Sequence, residues 1–397
     1  MRLLACAVLL LSWTPEDGPS FKDFERRAKA GERLSVVFFG ASLTWGANAS
    51  DPLQTSYRAR IAQRLEAAYP EARFKFWDAA IGGTGSQLGV FRLERDVLSR
   101  KPDLVFVDFS ANDDIHSADA ETLSSYEAIV RRLIEARIPV VQAIFPFLWN
   151  VKDGKLEDMK RRTAHLEIAK AYHTAVGDAI ELAKNRVTAG ETAIEKLWPH
   201  DGVHPGNAGY VLFADAVWDA FRGAVSDGRV CSPPAKTIHG DTYLKSARVR
   251  ISTLGELPEG WKKGGPNPVA AYFDFLMSRW LEDEVIASPG AAPLRLKFRG
   301  GMLLFLGEST SKSVKYKVTI DGKVVEHVEG KQTLQSFDAA RLAKMVGGNA
   351  HHAQVIATGL DPAFDHTLEL EPLFTGKDQE LRLESVCVAG PQPGVTR

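Results

Sequence analysis

The first half of the chain alternates short apolar runs with amphipathic helical segments, and this alternation strongly constrains the fold. Leu34–Phe39 and Leu104–Val107 are apolar runs of the kind expected for parallel strands buried on both faces. Three further strands are predicted at Phe74–Trp77, Val140–Phe145 and Ala175–Asp178. Helical spacing of apolar residues is found over Leu53–Tyr69, Gln87–Leu98, Tyr126–Ala136, Glu157–Tyr172 and Asn207–Phe221. An α/β fold, with a parallel sheet covered by helices on both faces, accounts for this order.

The pattern changes from about Gly228, where a Pro-rich segment at residues 231–234 is followed mainly by strands. Asp321-Gly322 lies between two apolar runs and is a strong signal for a β-hairpin turn. Strands are predicted at Tyr243–Ser252, Leu294–Arg299, Met302–Leu306, Val314–Ile320, Lys323–Val328, His366–Pro372 and Leu381–Val388. This rhythm predicts a β-sandwich of the jelly-roll type.

The length and charge of the chain narrow its possible functions. Its 397 residues suit two domains better than one, and we place an α/β domain at 21–228 and a β-sandwich domain at 229–397. Lys and Arg together number 49 against 50 acidic residues. Such a balance lacks the basic surplus of nucleic-acid-binding proteins, so no nucleic-acid partner is expected.

The amino terminus carries an apolar stretch from Leu3 to Trp13 behind a single basic residue, Arg2. The stretch is too short to span a bilayer but suits the apolar region of an export signal, which we place at residues 1–20. We therefore expect an exported protein, periplasmic or secreted, without stable membrane insertion. A frayed helix is the alternative, because no small-x-small cleavage site follows. Lipid modification of Cys6 is not expected, since no apolar region precedes it.

Two other cysteines, Cys231 and Cys387, stand near the two ends of the predicted sandwich. The first and last strands of such a domain often lie close, so an exported protein could join these residues in a disulfide. Spacing alone leaves both the bonded and the free state open.

Ser42 follows the first predicted strand through Gly40 and Ala41, two small residues that let the backbone turn sharply and lift the hydroxyl above the sheet edge. A serine becomes an effective nucleophile when a neighbouring base takes its proton, and histidine suits because its pKa lies near neutrality. The same pattern also fits a serine that caps a helix. Ser42 is therefore a candidate nucleophile that needs a partner.

A candidate base and its orienting carboxylate occur together as Asp201-Gly202-Val203-His204, just before the last predicted helix. At this spacing the Asp201 carboxylate can reach one ring nitrogen of His204 while the other nitrogen faces a serine. Two alternatives remain. Asp201 fits an acid at a helix entry beside a surface histidine, and His200, Asp201 and His204 could form part of a metal site, although no further ligand cluster accompanies them.

Hydrolysis of an acyl group also needs donors for the negative charge that develops on the carbonyl oxygen. The Ser42 N–H, the Gly83 N–H and the side-chain amide of Asn112 are the candidates, because right-handed crossovers bring the ends of their strands to one edge of the sheet. Gly82-Gly83-Thr84-Gly85 also fits a flexible turn or, less well, a phosphate loop. Asn112 also fits a simple turn or helix cap.

Taken in order, these segments resemble the SGNH hydrolases, the GDSL-like esterase and lipase group, over roughly residues 33–222. The resemblance implies a flavodoxin-like three-layer α/β/α fold with five parallel strands. It further implies that Ser42, Asp201 and His204 form a catalytic triad, and that Ser42, Gly83 and Asn112 form the oxyanion hole. No cofactor and no metal are implied.

The sequence departs from the family pattern at three positions. Ala41 stands where an aspartate usually precedes the serine, Ser110 replaces the glycine of the third block, and Asp78 replaces an asparagine before the second-block glycine. None of these positions carries a catalytic group. The departures bear on loop hydrogen bonding more than on the reaction.

The substrate predicted by this reading is an acylated carbohydrate or a small ester. Relatives with an appended β-sandwich resemble carbohydrate O-acetylesterases, so we expect hydrolysis of short acyl esters, acetyl first, through an acyl-serine intermediate. Trp45, Trp149 and Trp198 lie near predicted loop ends and are candidates for stacking on sugar rings, although such aromatics also serve as core.

Two rival functions stay open at this point. One is an esterase, lipase or thioesterase acting on lipid-like acyl chains, and the other is a non-catalytic carbohydrate-binding protein that keeps the fold. In the second domain, which is either accessory or carbohydrate-binding, the pair His351-His352 is expected to lie in a solvated turn. The sequence does not indicate the oligomeric state.

Overall fold

A computed structural model describes residues 18–267 and 280–397. The predicted export signal at residues 1–20 lies outside the described residues except for its last three positions, and Cys6 lies outside them as well. Within the described ranges, no helix is both long and apolar enough to cross a membrane.

The amino-terminal part is an α/β unit with five parallel strands in the order β2-β1-β3-β4-β5. The strands are β1 (Arg33–Gly40), β2 (Arg73–Ala80), β3 (Leu104–Val107), β4 (Val140–Ile144) and β5 (Ala175–Asp178). The helices are α1 (Phe21–Lys29), α2 (Ser42–Trp45), α3 (Tyr57–Ala68), α4 (Ser86–Arg92), α5 (Ala120–Glu135), α6 (Leu148–Lys152), α7 (Lys160–Ala171), α8 (Ala179–Thr188), α9 (Ile194–Leu197) and α10 (Asn207–Ser226). This is the flavodoxin-like order, which confirms the predicted fold class.

Burial explains why the strands of this sheet could be recognised. Every residue of β3 and β4 is buried, because helices cover both faces of the sheet. The central strand β1 pairs with β2 on one side and with β3 on the other. The carboxyl ends of these three strands therefore lie side by side, and the segments that follow them form one edge of the sheet.

The described carboxyl-terminal residues form two six-stranded antiparallel sheets and a small two-stranded sheet. Its strands are β6 (Ser246–Arg250), β7 (Trp261–Gly264), β8 (Glu284–Ala287), β9 (Leu294–Arg299), β10 (Met302–Ser309), β11 (Lys315–Ile320), β12 (Lys323–Val324), β13 (His327–Glu329), β14 (Gln332–Leu334), β15 (Phe337–Asp338), β16 (Ala350–Ala357), β17 (Asp365–Leu373), β18 (Leu381–Ala389) and β19 (Gly394–Thr396). A short helix, α11 (Arg341–Val346), precedes β16. The inner sheet has the order β16-β10-β18-β8-β7 with β6 beside β18, and the outer sheet has the order β12-β11-β17-β9-β19 with β15 beside β11. The two-stranded sheet is formed by β13 and β14.

The predicted hairpin between β11 and β12 is confirmed. These strands pair antiparallel, and both turn residues, Asp321 and Gly322, have positive φ angles of 50° and 76°. The single strand predicted at Lys323–Val328 is wrong, because the structure divides this segment between β12 and β13.

The inner sheet is buried on both faces. All residues of β10 and β18 are buried, and one set of their side chains packs within the sandwich while the other set joins the core of the α/β unit. Leu303 belongs to the first set, whereas Leu304 and Ala389 belong to the second. The outer sheet differs, since β9 and β17 alternate buried and solvent-facing positions. The two parts of the chain thus share one apolar core.

Cys231 and Cys387 are both buried, and the structure has them as free thiols and not as a disulfide. Both side chains lie in the core that the α/β unit shares with the inner sheet. Their role here is packing, as is common for buried cysteines.

Candidate active site

Ser42 is the first residue of α2, directly after the end of β1. The turn that leads to it has no room for a side chain at Gly40, where a Cβ atom would lie 2.2 Å from Thr44 Oγ1 and 2.6 Å from the Asp108 carbonyl oxygen. Because any side chain here would clash, residue 40 is a glycine. The absence of a side chain also allows the chain to turn sharply at the end of the strand. The Ser42 side chain is largely buried at the sheet edge.

The structure brings Ser42 together with His204 and Asp201. The Nε2 atom of His204 lies 3.1 Å from Ser42 Oγ, and its Nδ1 atom lies 3.5 Å from Asp201 Oδ2. The other carboxylate oxygen, Oδ1, accepts the backbone N–H groups of Val203 and His204 at 2.7 Å each. The three side chains are therefore arranged in the order nucleophile, base and carboxylate, as the spacing predicts.

The local environment of the triad favours a neutral base beside an ionised carboxylate. Burial lowers the pKa of His204, and this outweighs the attraction of Asp201, which raises it. For Asp201, burial acts to raise the pKa, but hydrogen bonds from His204 N–H, the Asn48 amide and Val203 N–H bring it below its ordinary value. The lowered pKa favours the neutral imidazole, which is the form that can accept a proton.

The two remaining oxyanion candidates lie on either side of the strand that carries Ser42. Gly83 follows β2 in a turn with φ of +70°, a left-handed conformation that favours glycine. Asn112 lies in an exposed turn after β3. Both residues line one cavity of about 330 Å³. The topology therefore places the two candidate donors at the same edge of the sheet.

Asp113 links these two turns, and sequence reasoning did not single it out. Its Oδ1 atom accepts the backbone N–H of Ser86, at the start of α4, at 2.9 Å. Burial raises the pKa of this carboxyl to about 6. A Cβ atom on Gly85 would lie 2.2 Å from the same oxygen, so the absence of a side chain there permits the contact.

Asn48 is a second residue that sequence reasoning missed. Its side-chain Nδ2 donates to Asp201 Oδ2 at 2.7 Å and lies 3.4 Å from the carbonyl oxygen of His204. The residue lies six positions after Ser42 and 153 before Asp201. No local pattern marks such a contact, because it depends on the tertiary fold.

The three departures from the family pattern have local partners. Ser110 accepts the backbone N–H of Phe145 at 3.0 Å, which ties the Asn112 turn to the end of β4. Asp78 accepts the N–H of Ala80 at 3.0 Å. Ala41 is fully buried, so a methyl group fills the space there.

Part of the second domain faces this site. His351 and Leu304, on neighbouring strands of the inner sheet, line the same cavity as Gly83 and Asn112. The expectation that His351 and His352 lie in a solvated turn is wrong, because both are buried in β16. His352 instead forms a 2.9 Å hydrogen bond with the Tyr316 hydroxyl inside the sandwich.

The three candidate tryptophans occupy different environments. Trp198 is 4% exposed and packs edge-on against Phe213, so the structure corrects its assignment from sugar contact to core packing. Trp45 is half-buried. Trp149 is 45% exposed, and its ring lies against Gly202, the residue that follows Asp201 in the chain. An exposed indole therefore stands beside the triad loop.

The metal alternative gains no support from the geometry. Across residues 18–267 and 280–397, no group of three or more His, Cys, Asp or Glu side chains is placed to hold a metal ion. His200, Asp201 and His204 thus do not converge as a ligand set.

With the site described, comparison with known families is decisive for the α/β unit. Residues 38–212 match the model of the GDSL-like lipase/acylhydrolase family. This segment is a GDSL-like domain. The match includes Ser42, Gly83, Asn112, Asp201 and His204.

Relatives and solved structures agree with this assignment. The GDSL-like domain is similar to an acetylxylan esterase of Geobacillus stearothermophilus, with 27% identity over 206 residues that cover 47% of this chain and 94% of the relative. A two-domain esterase active on acetylated mannans, co-crystallised with mannopentaose, superposes with a TM-score of 0.74 at 23% identity, covering 96% of this chain and 98% of that chain. A second structure of a two-domain esterase active on acetylated mannans gives a TM-score of 0.72 at 23% identity, covering 96% and 100%. The likeness to both structures shows the fold, including the β-rich part that follows the GDSL-like domain.

Proposed function

We propose that this protein is a serine esterase that removes short acyl groups, acetyl first, from acylated carbohydrates. The observation that carries the proposal is the 3.1 Å contact between Ser42 Oγ and His204 Nε2 inside a GDSL-like domain, with Asp201 behind the imidazole. A serine and a histidine in this arrangement are the parts that nucleophilic acyl transfer needs.

The reaction proceeds in two steps. Ser42 Oγ attacks the ester carbonyl carbon while its proton passes to His204 Nε2. The protonated imidazole then gives this proton to the sugar oxygen as the bond between that oxygen and the carbonyl carbon breaks, so that the sugar leaves with a free hydroxyl. The acyl-serine that remains is attacked by water, which His204 deprotonates, and the proton returns to Ser42 as the acid leaves. Asp201 fixes the tautomer of His204 and stabilises its charged form in both steps.

The carbonyl oxygen becomes negative in each tetrahedral intermediate. We assign its stabilisation to the N–H groups of Ser42 and Gly83 and to the side-chain amide of Asn112. Donors fixed in advance at such a position contribute about 3 kcal/mol each to the transition state. The support is topological, since the three residues follow three adjacent parallel strands.

Three observations favour a carbohydrate ester over a lipid ester. A relative with detectable sequence similarity is an acetylxylan esterase. The lining of the cavity beside Gly83 and Asn112 includes hydrogen-bonding side chains, among them Asp119, Thr122 and His351. Trp149 presents an exposed indole beside the triad loop, and such a ring suits the apolar face of a sugar. We also propose that the enzyme is exported, because polymeric carbohydrate is met outside the cell membrane.

The deciding experiment measures acetate release from acetylated xylan and acetylated mannan, together with a para-nitrophenyl ester series from acetate to decanoate. We expect release of acetate and a preference for the shortest ester, with activity lost in Ser42→Ala. A chain-length optimum above octanoate would favour the lipid-ester rival. Equal rates for wild type and Ser42→Ala would reject the mechanism, and binding of the glycan without hydrolysis would leave a carbohydrate-binding protein.

A further inference from the structure

We propose that Asn48 is a positioning residue of the triad, holding the Asp201 carboxylate in the orientation that serves His204. The inference rests on the proposed function, since it assigns a role within the same site. It concerns a residue that belongs to none of the motif segments.

The contact geometry places the Asn48 amide on the working side of the carboxylate. Asp201 Oδ1 is already held by the N–H groups of Val203 and His204, at 2.7 Å each. The other oxygen, Oδ2, faces His204 Nδ1 at 3.5 Å and also accepts Asn48 Nδ2 at 2.7 Å. The amide therefore acts on the oxygen that meets the imidazole.

Without a donor from across the site, the carboxylate would be held only at Oδ1 by its own loop. Rotation about its side-chain torsions could then carry Oδ2 away from the imidazole, because the Asp201 side chain is 45% exposed and open to water. The Asn48 amide limits this rotation. A further approach of the amide to the His204 carbonyl oxygen, at 3.4 Å, ties it to the same loop.

The segment that carries Asn48 is itself fixed to α10. The Tyr210 hydroxyl, buried in the core, donates to the Ala47 carbonyl oxygen at 2.7 Å. Ser50 and Asn207 exchange two hydrogen bonds, from Ser50 N–H to Asn207 Oδ1 at 2.9 Å and from Asn207 Nδ2 to Ser50 Oγ at 2.8 Å. The amide thus reaches Asp201 from an anchored loop.

The backbone at residue 48 also explains the choice of side chain. Asn48 has φ of +65°, in the left-handed region that asparagine tolerates better than most residues. Asparagine has a shorter side chain than glutamine, the other residue with a side-chain amide. It therefore holds its N–H donor close to the main chain while it accepts this backbone conformation. Glycine also accepts the conformation, which makes Asn48→Gly a clean way to remove the amide.

The first measurement is the steady-state kinetics of Asn48→Gly on para-nitrophenyl acetate. We expect kcat to fall about tenfold with KM nearly unchanged, because the residue acts on the base and not on ground-state binding. A melting temperature close to that of the wild type would show that the variant is folded. Unchanged kcat in folded Asn48→Gly would overturn the proposal.

The second measurement is the pH profile of kcat/KM for Asn48→Asp, a nearly isosteric change. The Asp201 carboxylate attracts the charged form of His204, and the substitution adds a second carboxylate beside Asp201 Oδ2. The added negative charge favours the protonated imidazole, so the acid limb should move up by about one pH unit. An unmoved acid limb would show that the side chain at residue 48 does not face the Asp201 carboxylate, and that result would contradict the proposal.

The matched control is Asn207→Ala, which removes the pair with Ser50 on the same loop but touches neither Asp201 nor His204. We expect kcat within about twofold of the wild type and an unmoved acid limb. A loss equal to that of Asn48→Gly would show that loop anchoring, and not carboxylate orientation, is responsible. An inactive wild type would instead reject the proposed function, so the two failures are distinguishable.

Discussion

The nucleophile half and the oxyanion half of the site depend on different parts of the chain. Ser42, His204 and Asp201 contact one another within the α/β unit. Gly83, by contrast, lines a cavity whose opposite wall includes His351 of the inner sheet. The difference teaches that the contacts among Ser42, His204 and Asp201 are made within the α/β unit, whereas the cavity beside Gly83 and Asn112 takes part of its wall from the inner sheet.

The two halves also treat their carboxyl groups in opposite ways. Asp201 is partly exposed, and its three donors lower its pKa, so it stays ionised. Asp113 is buried beside the oxyanion turns, and burial raises its pKa to about 6. Asp201 therefore stays charged beside the imidazole. Asp113 accepts a structural hydrogen bond from Ser86, and its ionisation lowers the stability of the folded state as the pH rises.

The largest expected effect tests the nucleophile half. Asp201→Asn keeps the shape of the side chain but removes its charge and its preference for one imidazole tautomer. We expect kcat to fall by about 10³-fold to 10⁴-fold, with the melting temperature little changed. Kinetics on para-nitrophenyl acetate would check this. If kcat fell by less than about tenfold, His204 would act as a base without the Asp201 carboxylate. The assignment of Asp201 to the nucleophile half of the site would then be wrong.

An intermediate effect tests the oxyanion half through two adjacent leucines of β10. Leu304 lines the cavity beside Gly83 and Asn112 and packs in the core shared with the α/β unit, whereas Leu303 packs inside the sandwich. Both are almost fully buried, so each alanine variant should lose about 2–5 kcal/mol of unfolding free energy.

The two variants should differ in catalysis. We expect Leu304→Ala to raise KM for acetylated xylo- or mannooligosaccharide about tenfold, because a wall of the cavity is lost. Leu303→Ala should leave KM within about twofold and serves as the control. Equal KM values in two folded variants would mean that the inner sheet stabilises the enzyme without shaping its substrate site.

The smallest effect concerns the pH dependence of stability. The folded pKa of Asp113, about 6, lies above its unfolded value of 3.8, so between these values the folded state keeps a proton that the unfolded state has lost. Its contribution to stability therefore falls as the pH rises through this window and is constant above it. Asp113→Asn removes the titration and keeps an oxygen for Ser86 N–H.

Melting temperatures of wild type and Asp113→Asn between pH 4 and pH 7 would measure this contribution. We expect the variant to gain a few degrees relative to the wild type over that range. Asp108 contributes in the same direction, since burial raises its pKa to about 7, so part of the wild-type slope remains in the variant. If the melting temperatures of wild type and Asp113→Asn ran parallel across this pH range, folding would not raise the pKa of Asp113.

The fold was predictable where one physical signal dominated. The buried strand β3 is apolar throughout, and β4 is apolar except for Gln142, because helices cover both faces. The strands β9 and β17 alternate because one face meets water. In the inner sheet, by contrast, β16 begins Ala-His-His, a segment that looks polar but is buried, with His351 beside Gly83 of the α/β unit and His352 inside the sandwich. Burial against another domain does not leave a periodic pattern, which explains why β16 was missed.

The site was predictable to the extent that its parts are local. Asp201 and His204 are three residues apart, and Ser42 directly follows a strand, so each could be found from short segments. Asn48 and Asp113 act through contacts with distant parts of the chain, 153 and 27 residues away, and only the folded structure reveals them. Trp198 shows the converse error, since an aromatic near a loop end proved to be core.

The core that passes from the α/β unit into the inner sheet has a consequence for engineering. If the sandwich were fused to another catalytic unit, its apolar residues Met302, Leu306 and Ala389 would lose their packing partners and face solvent. A foreign sandwich fused to this α/β unit would likewise bring a surface that does not match the α/β core. Cassette exchange at residue 228 should therefore yield aggregating chimeras unless the facing helices are redesigned at the same time.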